Sequence, residues 1–267
     1  MRRFIELGYR GTSFHGWQRQ PKEVSVQQTL EEALARVTGR EIAVTGAGRT
    51  DTGVHARQMF THFDVEDPLR ISDERLAAAL NTMCGRDITV KRIFRVSDDL
   101  HARFSAIART YRYFIHYGKD PFLNGLSLQM SAPLDINAMN LAAELLKETT
   151  DFTSFAKLGG NAKTNICDVS KALWTPHTFV TGTPGLMFEI TANRFLRNMV
   201  RAITGTLIEV GSGKCSMQEF QNVVEARDRC AAGSSMPAHA LYLWSIKYPS
   251  DPPIFRMIAN NLPSIDV

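Results

Sequence analysis

One acid stands beside one arginine inside a glycine-bounded run. The stretch GAGRTDTGVHA covers residues 46–56 and puts Arg49 two positions before Asp51, between Gly48 and Gly53. A carboxylate can attack an electrophilic carbon or stabilise a cationic one, and it must be ionised to do so. A guanidinium close to it favours the ionised form. Glycine admits backbone angles closed to other residues, and Asp and Thr brace turns through side-chain to backbone hydrogen bonds. The same run is therefore equally a tight strand-to-strand loop whose Asp51 only caps the backbone. It is not a phosphate-binding loop, since the lysine and spacing of that motif are absent.

A second group is basic. Arg194, Arg197 and Arg201 recur at helical spacing in NRFLRNMVRAITGTL, residues 193–207. The periodicity predicts one long helix over residues 193–210, with these arginines on one face and Leu196, Met199, Val200, Ile203 and Leu207 on the other. No acid lies between Asn193 and Ile208. Arginine's planar fork suits phosphate or carboxylate, while the bland alternative is a surface helix whose arginines face water. Further arginines crowd at Arg92, Arg95, Arg103, Arg109 and Arg112. Lys plus Arg number 31 against 27 for Asp plus Glu, a net charge of +4. The clustering of arginine, more than that small excess, points to a polyanionic partner.

The elements that must position these residues follow from pattern. RFIELGY, residues 3–9, is predicted to be a strand. Ser25 and Gln28 make a capping-box pattern ahead of a helix on Leu30, Ala33, Leu34 and Val37, ended by Gly39. EIAVTG, residues 41–46, is a short strand into the Asp51 loop, and residues 54–65 are a strand out of it. Ser72 caps a helix on Leu76, Ala79, Leu80 and Met83. Residues 87–96 and 108–118 alternate as strands with one wet face. Residues 118–133 read as a linker. A second round then brings a helix after Asp135, an aromatic loop at residues 151–157, strands near residues 167–175 and 186–191, the arginine helix, a helix at 217–227 and a closing strand at 240–248. The predicted domains are 1–117 and 134–249, with a tail at 250–267. Helices gathered on one side of each sheet make an α+β protein.

Several classes are excluded. Cys84, Cys167, Cys215 and Cys230 form no CxxC pair, so neither a structural zinc site nor a disulfide framework is expected. MRRFIELGYRG lacks the apolar core of a signal peptide, and no apolar run has membrane-spanning length. The expected compartment is the cytoplasm.

Five segments together carry a resemblance. HGWQRQ (residues 15–20), GAGRTDTGVHA (46–56), HARFSAIARTYRYFI (101–115), NRFLRNMVRAITGTL (193–207) and MPAHALYLWSIKYP (236–249) occur in that order. In them the chain resembles the TruA family, the tRNA pseudouridine synthase I enzymes, from its opening strand to about residue 249. The resemblance implies a pseudouridine synthase fold: two similar α/β sandwich domains sharing an extended antiparallel sheet, with a central basic cleft. It implies a homodimer that binds tRNA and isomerises uridine to pseudouridine at positions 38, 39 and 40 of the anticodon stem-loop, without metal or organic cofactor. It assigns the catalytic acid to Asp51, the base-flipping arginine to Arg49, the active-site tyrosine to Tyr111 and the acid's arginine partner to Arg201. Two departures stand out. The family often has histidine where this chain has Arg197 or Asn198, and Ala238, His239 and Ala240 replace a stretch that commonly carries a second proline and a glycine.

With RNA as partner, other residues gain readings. Arg194 and Arg197 become phosphate contacts. Trp17, Arg19 and Gln20 can meet RNA, since aromatic rings and guanidinium planes stack on exposed bases, or can pack a domain edge. His55 and His62 are seven apart on a predicted strand, hence on opposite faces with no cysteine near, which argues against a metal and for structural or RNA-contacting roles. Strand alternation puts Tyr111 with Tyr113 and Ile115; core packing is the bland expectation for these rings, and the resemblance selects Tyr111 to stack on uracil. Two other functions share these features: a non-catalytic RNA-binding protein of the same fold, which would not need Asp51, Tyr111 and Arg201 together, and a nucleoside N-glycosylase that cuts the bond without rejoining it.

Overall fold

The computed structural model describes residues 1–65, 69–157, 159 and 163–249; the expected tail at 250–267 lies outside them. The chain divides into two compact units, Met1–Ile107 rejoined by the chain from Leu243, and Ala108–Tyr242. The division thus falls at 107/108 and not at 117, because the strand Ala108–Tyr117 pairs within the second unit.

In the first unit, β1 (Arg2–Tyr9), α1 (Val26–Thr38), β2 (Thr45–Gly46), β3 (His55–Asp64), α2 (Asp73–Met83) and β4 (Ile88–Val96) follow in order. β1 is the central strand, antiparallel to β3 on one side and to β4 on the other. Its Phe4, Ile5 and Leu7 are fully buried, as a strand covered on both faces requires. Ser25 caps α1 by accepting from the Gln28 N–H, and Gly39 closes it at φ 67°. Ser72 caps α2 in the same way through the Arg75 N–H. α2 packs on β4 and against α1. The strand expected at 41–46 shrinks to Thr45–Gly46. Val44 explains this: its N–H donates to Glu31 Oε1 and its carbonyl accepts from Gln27 Nε2, so side chains of α1 take groups a ladder would have used.

The second unit holds β5 (Ala108–Tyr117), β6 (Leu128–Met130), α3 (Ile136–Glu148), β7 (Val169–Thr178), β8 (Pro184–Ala192), α4 (Met199–Gly211) and α5 (Met217–Ala226); the closing strand β9 (Leu241–Lys247) crosses the division. β8 lies between β5 and β7, antiparallel to both, while β6 runs parallel to β5. The pairing is therefore mixed rather than antiparallel throughout, and the predicted linker at 118–133 contains a strand. α3 packs on β7 and α4. Asn140 ties that contact by donating to the Trp174 carbonyl and accepting its N–H.

Two expectations are corrected here. β5 does not keep one wet face: Tyr113, Phe114, Ile115 and His116 are all buried, with His177, Phe179 and Tyr242 packed around Phe114. The long arginine helix does not begin at residue 193. Asn198 stands in the left-handed region at φ 67° and α4 starts at Met199. A residue held there cannot continue a right-handed helix. α4 is buried on nearly every side, from Met199 to Gly211. Its periodicity was real, but the first two arginines precede it.

Candidate active site

The Asp51 loop spans the gap between β2 and β3 in the first unit. Asp51 is half-buried and Thr50, beside it, is buried. The loop is held from several sides. The Tyr9 and Thr50 hydroxyls lie 2.8 Å apart in a hydrogen bond, which ties the loop to the end of β1. The Trp17 N–H donates to the Thr50 carbonyl at 3.2 Å, and the Gly53 N–H to the Phe14 carbonyl at 3.3 Å. The Asp51 carbonyl accepts from the Val54 N–H at 3.1 Å, closing the turn over Gly53 at φ 80°. Gly16 makes the clamp possible: it stands at φ 85°, and a Cβ there would lie 2.5 Å from the Thr50 carbonyl oxygen. The segment 14–17 thus works as a brace against the backbone of 50–53. Such bracing fixes a carboxylate by fixing its main chain.

The other candidates in this unit divide sharply. Arg49 is exposed. Trp17 is 3% exposed, its indole lying where a Cβ on Gly46 would sit, with the Tyr9 ring 6.2 Å away. That is the packing reading of Trp17 and leaves no open ring face for a base. His55 is 2% exposed, and its Nδ1 accepts the Gly11 N–H at 3.0 Å, so it braces the turn before the 14–17 segment and does not reach a surface for RNA. Arg19 and Gln20 are exposed; Arg19 pairs with Glu31 at 3.2 Å, and Gln20 donates to the His15 carbonyl. Among the described residues no group of His, Cys, Asp and Glu is arranged to hold a metal ion.

Tyr111 and Arg201 belong to the second unit. Tyr111 is half-buried on β5, opposite Ile190 on β8, with the Phe195 ring edge-on to it at 5.0 Å and 84°. Arg201 lies in the first turn of α4. Its Nε donates to the Met236 carbonyl at 2.5 Å, and its own carbonyl accepts the Met236 N–H at 3.1 Å. Gly205 lets this strap approach, since a Cβ there would meet the Ser234 carbonyl oxygen at 1.9 Å. Ser235 is fixed in turn by Asn198 Nδ2 at 2.6 Å and Arg229 Nη2 at 2.9 Å. The Tyr113 hydroxyl donates to the Pro237 carbonyl at 3.0 Å. Burial pushes the Tyr113 phenol well above its usual range, against a smaller downward pull from the Arg201 charge, so Tyr113 stays a donor. Arg194 and Arg197 stand in the 193–198 loop; Arg194 Nη1 reaches Thr164 Oγ1 at 3.5 Å, and the Arg197 carbonyl accepts the Lys157 N–H.

Sequence reading missed the supporting residues: Tyr9, Phe14 and Gly16 around Asp51, and Asn198, Ser235 and Arg229 around Arg201. Only Gly16, a glycine inside an aromatic-rich loop, carried a signal. Tyr9 meets Thr50 across 41 residues and Asn198 meets Ser235 across 37, separations that no local pattern encodes.

The fold is α+β with mixed strand pairing, and the family model that matches the chain is that of the pseudouridine synthases. A family model described as tRNA pseudouridine synthase matches residues 8–105 and 142–249. A tRNA pseudouridine synthase A from Porphyromonas gingivalis is 50% identical over 248 residues, covering 93% of this chain and 97% of the relative. Its counterpart from Parabacteroides distasonis is 49% identical, covering 94% and 98%. The protein of that name from Bacillus subtilis is 42% identical, covering 93% and 99%. The chain belongs to the tRNA pseudouridine synthase family. No described helix is long and apolar enough to cross a membrane.

Proposed function

We propose that this protein, a tRNA pseudouridine synthase, acts in the cytoplasm as a homodimer on the anticodon stem-loop, at positions 38, 39 and 40. The observation that carries the reading is the placement of Asp51 in a loop braced on both sides, in a chain 50% identical over 248 residues to a named tRNA pseudouridine synthase. The reaction breaks the bond between uracil N1 and the ribose C1′, turns the base, and joins C5 to the same carbon. The proton on C5 is lost and N1 gains one. Asp51 supplies the nucleophile, attacking the sugar carbon or the base. The resemblance makes Arg201 the arginine partner of that carboxylate, whose ionised form a guanidinium favours. Tyr111 stacks on uracil, and its hydroxyl is the proton acceptor. Arg49 enters the space left by the flipped nucleotide, since a base must leave its stack to be reached. Arg194 and Arg197 meet phosphates, and Arg19 and Gln20 contact RNA at the edge of the first unit. The test is to incubate purified protein with unmodified tRNA transcripts and map pseudouridine by position. Pseudouridine confined to positions 38–40 is expected. Free uracil with an abasic product would establish an N-glycosylase instead, and tRNA binding without either product would leave a non-catalytic binder.

A further inference from the structure

The segment 101–105 presents an aromatic ring to solvent from a base tied by several hydrogen bonds. Phe104 is 76% exposed. Isolated exposed apolar residues are ordinary, and on a loose loop this one would call for nothing. Here the backbone around it is tied down. His101 Nδ1 accepts two main-chain donors at once, the Arg103 N–H at 3.0 Å and the Phe104 N–H at 3.2 Å. The His101 N–H donates to Ser105 Oγ, and the Ser105 N–H returns to the His101 carbonyl, both at 2.9 Å. Ala102 is held through both its groups: its N–H donates to His62 Nδ1 at 3.2 Å, and its carbonyl accepts the Tyr248 hydroxyl at 2.6 Å. Rings continue the support. His62 sits edge-on to His101 at 4.7 Å, and His101 lies 4.4 Å from Phe104 at 35°. The Arg103 guanidinium is 5.5 Å from the Phe104 ring.

This arrangement fixes where a flat apolar face stands before anything binds it. Pre-ordering removes an entropy cost that binding would otherwise carry. Every nucleobase has a π-face, so a fixed aromatic ring accompanied by guanidinium is chemistry suited to an unstacked base. We infer that Phe104 is a stacking platform for an unpaired nucleobase of the RNA substrate, with His101 as the residue that positions it. The inference rests on the proposed function and adds a contact outside the residues already assigned there.

The experiment compares wild-type protein, Phe104→Ala and Phe104→Trp for tRNA affinity across a salt series, with sedimentation of each protein alone. Base stacking is worth about 1–3 kcal/mol per base, so Phe104→Ala is expected to weaken binding roughly five- to 150-fold. Phe104→Trp is expected to stay within about threefold of wild type. The slope of log affinity against log salt stays unchanged in both, because no charge is removed. Equal affinity of Phe104→Ala and wild type would overturn the inference while leaving the function intact. A change in oligomeric state of Phe104→Ala without RNA would overturn it too, assigning the ring to a contact between copies. Failure of wild type to bind tRNA would defeat the functional reading itself.

Discussion

Gly16→Ala tests whether the 14–17 segment positions Asp51. At φ 85° an alanine there carries left-handed strain, and its Cβ would lie 2.5 Å from the Thr50 carbonyl oxygen and 3.2 Å from the Asp51 carbonyl carbon. The strain costs about 1–2 kcal/mol. Relieving the overlap moves backbone rather than a side-chain tip, at about 1–3 kcal/mol more. Taking about 3 kcal/mol in total, the melting temperature should fall by roughly 6–12 °C. The loop gives way where the acid sits, and small misplacements of a reacting group are costly, so the single-turnover rate of pseudouridine formation should fall by about 10- to 100-fold. Gly39→Ala is the control. It has a similar φ of 67° with nothing within 4 Å, so it incurs the strain without the overlap. Both variants are assayed by thermal unfolding and by single turnover at saturating enzyme below the melting range. If Gly16→Ala lost no more rate than Gly39→Ala, the brace would not position Asp51 and the reasoning would fail.

Arg201→Lys keeps charge but loses the planar fork, and Arg201→Ala loses both. The single-turnover rate should fall in that order, with affinity changing less than the rate; heavy loss of affinity at an intact rate would make Arg201 a phosphate contact. Replacing Arg194 and Arg197 together by Ala should weaken tRNA binding and flatten its salt dependence by about two units of slope at most. An unchanged slope would return both to solvated surface. His62 is pushed down to about 4 from 6.5 by burial, then by the charges of Arg2 and His101. Between those values the unfolded chain binds a proton that the folded chain refuses, so stability falls as pH drops from about 6.5 to about 4, by about 3 kcal/mol. Urea midpoints across that window should fall less steeply for His62→Gln, and parallel curves would contradict this.

Local pattern was enough for elements that carry their own signals. Ser25, Ser72 and Asp135 each start a helix where a capping residue precedes an apolar stripe. It failed where a single residue overrides a period. The run from Asn193 to Leu207 keeps helical spacing throughout, yet Asn198 in the left-handed region splits it, with its side chain fixed by Ser235 across 37 residues. The alternation in β5 likewise said nothing of the aromatic cover that buries Phe114. At the site, the glycine-bounded run marked a tight loop carrying Asp51 and Arg49, and the roles of those two residues come from the resemblance rather than from the pattern. For Trp17 and His55 the sequence left RNA contact and packing both open, because residue type alone does not distinguish a ring that meets RNA from one that braces a loop; both rings are buried.

The most direct measurement is pseudouridine formation by Asp51→Asn in a single turnover on unmodified tRNA, with affinity measured in the same buffer. The substitution keeps the size of the side chain and removes its charge, and it leaves in place the hydrogen bonds through the main chain of Thr50, Asp51 and Gly53 and the Thr50 hydroxyl. The account predicts no pseudouridine at any position and tRNA affinity close to that of wild type. A wild-type yield of pseudouridine from Asp51→Asn would contradict it.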